Sequence, residues 1–326
     1  MTDRTGAGVG VPARVLAIDV GGTKLATAVV DATGAVAGHA EVPTPPSADA
    51  ETIFRALETA IARSLAAAET PASALLGIGV GCGGPMRYPE GIVSPLNIPG
   101  WRDFPLRERL IAAYGLATVV DNDAKAMALG EHWRGAGQGA RCLLGMIVST
   151  GVGGGLVVDG RLLDGAHGNA GHVGHVIVAP RGPRCACGAQ GCVEAIASGP
   201  SIARAAAAAL AAGAPSSLGG VAPLTAETVA VAARAGDPLA RALYRRAGRA
   251  LGRGIASAAA LVDLDRVVVG GGVSQAGALL FEPLRAELAR RAHLAFTRDL
   301  VVRPAALGRQ AGLVGAAALI FHGEAR

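Results

Sequence analysis

The sequence predicts an α/β protein built from two related halves. Two glycine hairpins predict it. "AIDVGGTKLATAVV" near the start and "MIVSTGVGGGLVV" about 130 residues later both read as strand, glycine turn, strand. The same grammar recurring at that distance suggests a duplicated fold. Composition agrees. Hydrophobic residues make up 51% of the chain but aromatics only 3%, so alanine-rich amphipathic helices must pack closely on sheets.

Residues 1 to 13 are polar and glycine-rich, and disorder is expected there. "RVLAIDVGGTKLATAVVD" is then the first hairpin and "GAVAGHAEVPT" a third strand. "DAETIFRALETAIARSLAAAE" carries apolar residues at a 3.6-residue period and is a helix. "LLGIGVGCGGP" is a buried strand running into a glycine loop. "DFPLRERLIAAYG" is a helix, and "ATVVDNDAKAMALGEHW" is a strand entering a helix. The second half opens with "RCLLGMIVSTGVGGGLVVDGRLL", again strand, turn, strand. A cysteine cluster follows, then long helices to about residue 262, with "APSSLGGVAP" as a surface loop. "LDRVVVGGGVSQAG" is a strand ending in glycines. "LVVRPAALGRQAGLVGAAALIFHG" is a strand, a loop and a closing helix.

Several function classes are disfavoured at this level. The N-terminal stretch has no apolar core, so no secretory signal is expected, and no run of 18 apolar residues offers a membrane span. Five cysteines, mostly clustered, do not form a secreted disulfide framework, and a reducing cytoplasm is expected. The net charge is +5, with arginines scattered singly. That pattern reads as solvated helix faces or as attraction for a polyanionic small molecule. It lacks the basic block of a nucleic-acid binder.

Four motifs carry chemistry. In "DVGGTK", Gly21 and Gly22 let the backbone approach a phosphate, Thr23 and Lys24 add a hydroxyl and a charge, and Asp19 is placed to hold Mg²⁺ through water. In "STGVGGG", Thr150, Gly151 and Gly153 repeat the device. Each alone is also a plain tight turn; the pair points to a nucleotide between the halves. Neither matches a Walker loop or a dinucleotide fingerprint. Gly271 and Gly272, after a later strand, suit a nucleoside lying flat on the backbone. In "VVDNDAKAMALGE", Asp123 reads either as a helix cap or as a carboxylate base at a strand's C-terminal end, with Asn122 gripping hydroxyls beside it. The fourth motif is His175-x9-Cys185-x-Cys187-x4-Cys192. Three thiolates and an imidazole make a closed tetrahedral site for structural Zn²⁺, and a cluster of free cysteines is the alternative. Such a staple would also fix His175 and Glu194 as one rigid wall.

Together "DVGGTK", "DNDAKAMALGE", "STGVGGGLVVDGRLLDGAHGNAG", "CACGAQGCVEAIASG" and "ALGRQAGLVGAA" resemble the ROK family of sugar kinases and sugar-responsive repressors, over about residues 15 to 319. The cysteine motif with its upstream Gly-His is the most specific of these. The resemblance implies an actin-like, hexokinase-type duplicated ribonuclease H-like fold with an interdomain cleft. It implies a small domain over residues 1–120, a large domain over 121–308 carrying the zinc, and a closing helix at about 309–322 that returns to the small domain. It implies ATP with Mg²⁺ in the cleft, Asp123 as the base for a sugar's primary hydroxyl, and a homodimer or homotetramer with no nucleic-acid or membrane partner. Gly84, Asn97, Asn122, His175 and Glu194 match sugar-contacting positions. One position departs: the family pattern A-G-E-x-G-H reads "AGHVGH" here, with His172 at the Glu. Glucose is the first expected substrate, with N-acetylmannosamine, N-acetylglucosamine and fructose next, and polyphosphate is the alternative donor. A sugar-sensing transcriptional regulator lacking its DNA-binding part is the alternative of another class, disfavoured because about 14 residues precede the first strand.

Overall fold

The computed structural model describes residues 12–46 and 49–322; most of the expected disordered leader lies outside them. The first half runs β1 (Arg14–Val20), β2 (Lys24–Asp31), β3 (Val36–Pro43), α1 (Ala50–Ala67), β4 (Ile78–Cys82), β5 (Met86–Arg87), β6 (Ile92–Val93), α2 (Leu106–Tyr114), β7 (Thr118–Asn122) and α3 (Asp123–Arg134). The second half runs β8 (Cys142–Val148), β9 (Val152–Val158), β10 (Arg161–Leu162), α4 (Val193–Ala197), α5 (Gly199–Ala211), α6 (Ala226–Arg234), α7 (Pro238–Val262), β11 (Arg266–Gly270), α8 (Ala278–Ala289), β12 (Val301–Pro304) and α9 (Ala311–Phe321).

The duplication is explicit in the sheets. One has the order β3-β2-β1-β4-β7 and the other β10-β9-β8-β11-β12. Each begins as an antiparallel meander and continues as parallel strands added beside its first strand. The parallel strands read as nearly unbroken apolar runs because both their faces are covered: Ile78 to Cys82 is buried throughout.

Each half has its own core. In the first, α1 sets Ile53, Phe54, Leu57 and Ile61 on one stripe against Leu16, Ile18 and Ile78. Asp49 starts this helix by accepting from the amides of Glu51 and Thr52, a cap worth about 1 kcal/mol. Trp101 stacks on Phe104 with ring centres 4.7 Å apart, closing the floor beneath the 85–105 segment. In the second half, α6, α7 and α8 cover β8 and β11 with Val229, Leu243, Leu251 and Leu284.

Between the sheets, α3 and α9 cross. A Cβ on Gly130 would come within 2.8 Å of Gly315, so glycine is what allows the two backbones to touch. The buried carboxylate of Glu131 then accepts the amides of Ala136, Ala306 and Leu307 at 2.8–3.0 Å. It holds the chain that leads into α9. That helix buries Leu313, Ala316 and Ala317 against Val15, Ala17 and Ala28 of the first sheet. Among the described residues no helix is long and apolar enough to cross a membrane.

Candidate active site

The parallel strands β1, β4 and β7 end level with one another, because Val20 pairs with Cys82 and Cys82 with Asn122. Ligands of open α/β sheets bind beyond such ends. A cavity of about 480 Å³ opens there. Gly21 and Gly22 of one hairpin and Thr150, Gly151 and Gly153 of the other line it from opposite halves. Gly84, Asn97, Asn122 and Asp123 form a second side, and His172, His175 and Glu194 a third.

The start of α3 settles a question left open by the sequence. Asn122, with φ −61° and ψ 138°, is the cap, and its Oδ1 accepts the Ala124 amide at 3.0 Å. Asp123 is the first helical residue, so the cap reading of Asp123 gives way. Its Oδ1 also accepts the Ala124 amide, at 2.8 Å. Burial raises the Asp123 pKa, while this amide and the nearby His172 pull it back. Asp19 is raised to about 6, first by burial and then by the charge of Asp123. Two carboxylates crowded in this way suit a site that receives a cation. The first turn of α9, at Gly312, abuts the Asp19 carboxylate.

The third side is built from loops. His172 Nδ1–H donates to the Asn169 carbonyl at 2.9 Å. In the neutral ring this leaves Nε2 as an acceptor on a residue that lines the cavity. The His172 and His175 rings lie nearly parallel, 6.4 Å apart. Glu194, in the first turn of α4, accepts the Val152 amide at 2.9 Å and so braces the second glycine turn as well as lining the cavity.

His175, Cys185, Cys187 and Cys192 present four ligand atoms within 4.8 Å of one another. Cys187 Sγ is 3.7 Å from Cys192 Sγ, and Cys185 Sγ is 3.7 Å from His175 Nδ1. Thiolates about 2.3 Å from a tetrahedral ion stand about 3.8 Å apart, so these spacings match those of a single tetrahedral metal site.

Not every expected residue faces the cavity. Lys24 is engaged by Glu41 at 2.6 Å. Thr23 uses its carbonyl to accept the Thr44 amide. Gly271, at φ 90°, lies against the backbone of Val148. Its neighbour Gly272 lines a second cavity of about 800 Å³ between α5, α6 and α7, which shares Ser149 and Thr150 with the first. Arg204, Thr225, Glu227, Arg234 and Tyr244 line that second cavity and escaped the sequence reading. They come from three helices, α5, α6 with its cap, and α7, with no motif among them. Leu96, 74% exposed at the rim of the first cavity, escaped it too.

Lys125 is the other surprise. It is fully buried, and its Nζ lies 2.9 Å from Asp121 Oδ2, 2.8 Å from Asp164 Oδ1 and 3.2 Å from the Gly168 carbonyl. A lone lysine among the buried residues of α3 was the available signal.

Comparison with known proteins places this geometry. Residues 15–322 match the ROK family. The chain is 36% identical to a glucokinase from Halalkalibacterium halodurans, over 94% of each chain. It is 39% identical to an N-acetylmannosamine kinase from Shigella flexneri, over 95% of this chain and 99% of that one. A ROK family glucokinase from Streptomyces griseus, solved in complex with glucose and AMPPNP, superposes with a TM-score of 0.78 at 37% identity, covering 94% of this chain and 98% of that one.

Proposed function

The chain belongs to the ROK family, and from that premise we propose that it is an ATP-dependent hexose kinase, with glucose as first substrate. One observation carries the reading. A half-buried carboxylate, the first residue after strand β7, lines a sugar-sized cavity, and that cavity borders a second at the glycine turn, where both share Ser149 and Thr150.

The sugar occupies the smaller cavity, gripped by Asn97, Asn122, His172 and Glu194. Asn122 spends its oxygen on the helix cap and keeps its amide hydrogens for a hydroxyl. The Asp123 carboxylate accepts the proton of the primary hydroxyl as the oxygen attacks the γ-phosphorus in line. A base of this kind contributes roughly 10²–10⁴ in rate. Backbone amides of the two glycine turns receive the phosphates, and positioning does most of the rest. Asp19 holds the Mg²⁺ that accompanies ATP; when bound, that ion neutralises charge on the transferred phosphoryl group. The nucleoside lies in the larger cavity beside Gly272 and Tyr244, which supports a nucleotide donor over polyphosphate.

Zn²⁺ is the metal that suits three cysteines and one histidine with no ligand position left open. Its part is structural: it fixes the segment between His175 and Glu194. A hinge between the segments 1–120 with 309–322 and 121–308 would close the cleft on substrate. The chain would act in the cytoplasm as a homodimer or homotetramer.

The relatives named above leave the sugar between glucose and N-acetylmannosamine. His172 bears on that choice. Its free Nε2 accepts a hydrogen bond, as the Glu of the family pattern would, but carries no charge when neutral. The test is sugar-dependent ADP release with Mg-ATP across glucose, mannose, fructose, N-acetylglucosamine and N-acetylmannosamine. Glucose is expected to give the highest kcat/KM. No turnover with any sugar, from folded and zinc-replete protein, would overturn the reading.

A further inference from the structure

We propose that Lys125 is a positioning residue for the sugar site, acting as a clamp on the loop that carries His172. The proposal rests on the hexose-kinase reading for its kinetic readout, and on geometry alone for its structural one.

Lys125 lies two residues after Asp123, on the buried side of α3. Its ammonium reaches three separate pieces of chain. Asp121 ends β7 beneath it, at 2.9 Å. Asp164 and the carbonyl of Gly168 hold it from the 163–172 loop, at 2.8 and 3.2 Å. The ring of Tyr88, between β5 and β6, lies 4.9 Å from the charge. All three pieces lead directly to the cavity: Asp121 to Asn122 and Asp123, Gly168 to Asn169 and His172, and Tyr88 to the segment bearing Gly84.

The coupling to His172 is short. The clamp fixes Gly168, and the next residue, Asn169, supplies the carbonyl that takes the His172 Nδ1–H. The orientation of the imidazole therefore depends on where the ammonium holds the loop. Gly168, at φ 74°, has the Tyr88 ring where a Cβ would sit, with ring carbons 2.6–2.8 Å from that position, so Tyr88 packs against the same loop. Apolar side chains of similar volume are often at least as stabilising as a buried ion pair. An ammonium that ties two points of one loop to the end of β7 therefore points to placement rather than stability.

Replacing Lys125 itself would strand Asp121 in the core, and such a variant risks not folding. Asp164→Ala instead removes the loop anchor and leaves the Lys125–Asp121 pair. A lost charge-assisted hydrogen bond predicts a rise of about tenfold in KM for the sugar, with kcat and the KM for ATP within about twofold of wild type. Asp164→Asn keeps an acceptor for the ammonium and is expected to recover most of the loss. Hydrogen exchange in ligand-free protein should quicken over residues 163–172 in Asp164→Ala and stay unchanged elsewhere. An unaltered sugar KM together with unaltered exchange overturns the proposal. So does a uniform loss of kcat and both affinities with a lowered melting temperature, which is what a merely structural role predicts. If the wild-type protein phosphorylates no sugar, the functional reading falls, and the exchange experiment alone decides the clamp.

Discussion

Replacing Asp19 by Asn is expected to stabilise the ligand-free protein while removing its turnover. The folded-state pKa of Asp19 is raised from 3.8 to about 6, by burial and then by Asp123. A raised acid pKa means the folded state binds the proton more tightly than the unfolded chain, so folding weakens as pH climbs through that window. Each pH unit between the two values is worth about 1.4 kcal/mol, which makes the full penalty about 3 kcal/mol. It is nearly absent below about pH 3, about half present at pH 5 and nearly complete above about pH 6.5. Asparagine carries none of it. Urea unfolding of both proteins at pH 5, 6 and 8 should therefore show the variant gaining on wild type as pH rises. Mg-ATP should narrow the gap by stabilising the wild-type protein, since the cation supplies what the carboxylate lacks. A pH-independent difference, or a variant less stable at pH 8, would refute the reasoning. Wild-type turnover by the variant would separately remove Asp19 from the metal site.

Three further outcomes are expected. Asp123→Asn should lower kcat by roughly 10²–10⁴ and leave the melting temperature at or above that of wild type, because Asn122 supplies the cap; a normal kcat would show that Asp123 is not the base. Elemental analysis should find one zinc per chain, and Cys192→Ser should lose it along with about 5–10 °C of melting temperature, the equivalent of several kcal/mol. Glu131→Ala leaves the amides of Ala136, Ala306 and Leu307 without their acceptor, and should cost about 3–9 kcal/mol in urea unfolding at about 1–3 kcal/mol per orphaned group.

How much of this was legible beforehand follows from locality. The hairpins of β1–β2 and β8–β9 were readable because apolar alternation and glycine turns are properties of adjacent residues, and their recurrence revealed the duplicated sheet. The cysteine–histidine cluster was readable because its three cysteines lie within eight residues. The larger cavity was not, since Arg204, Arg234 and Tyr244 meet only after three helices pack. Lys24 shows what a local motif leaves out. A lysine beside a glycine turn suggests a phosphate ligand, but the neighbouring strand β3 brings Glu41 to it first. Asn122 and Asp123 divided the roles of cap and first helical residue by backbone angle, which composition does not encode.

The position of α9 has a consequence for how this chain is made. The sheet face bearing Val15, Ala17 and Ala28 is complete as soon as β7 has been synthesised, yet the helix that covers it begins at residue 311. At about 5–20 residues per second, the ribosome takes roughly 10–40 s to deliver that cover. Throughout that interval the first half is a finished sheet with one bare apolar side. Its folding is thus bound to the end of translation, and a transcript cut short before codon 311 should yield an aggregating fragment rather than an isolated domain.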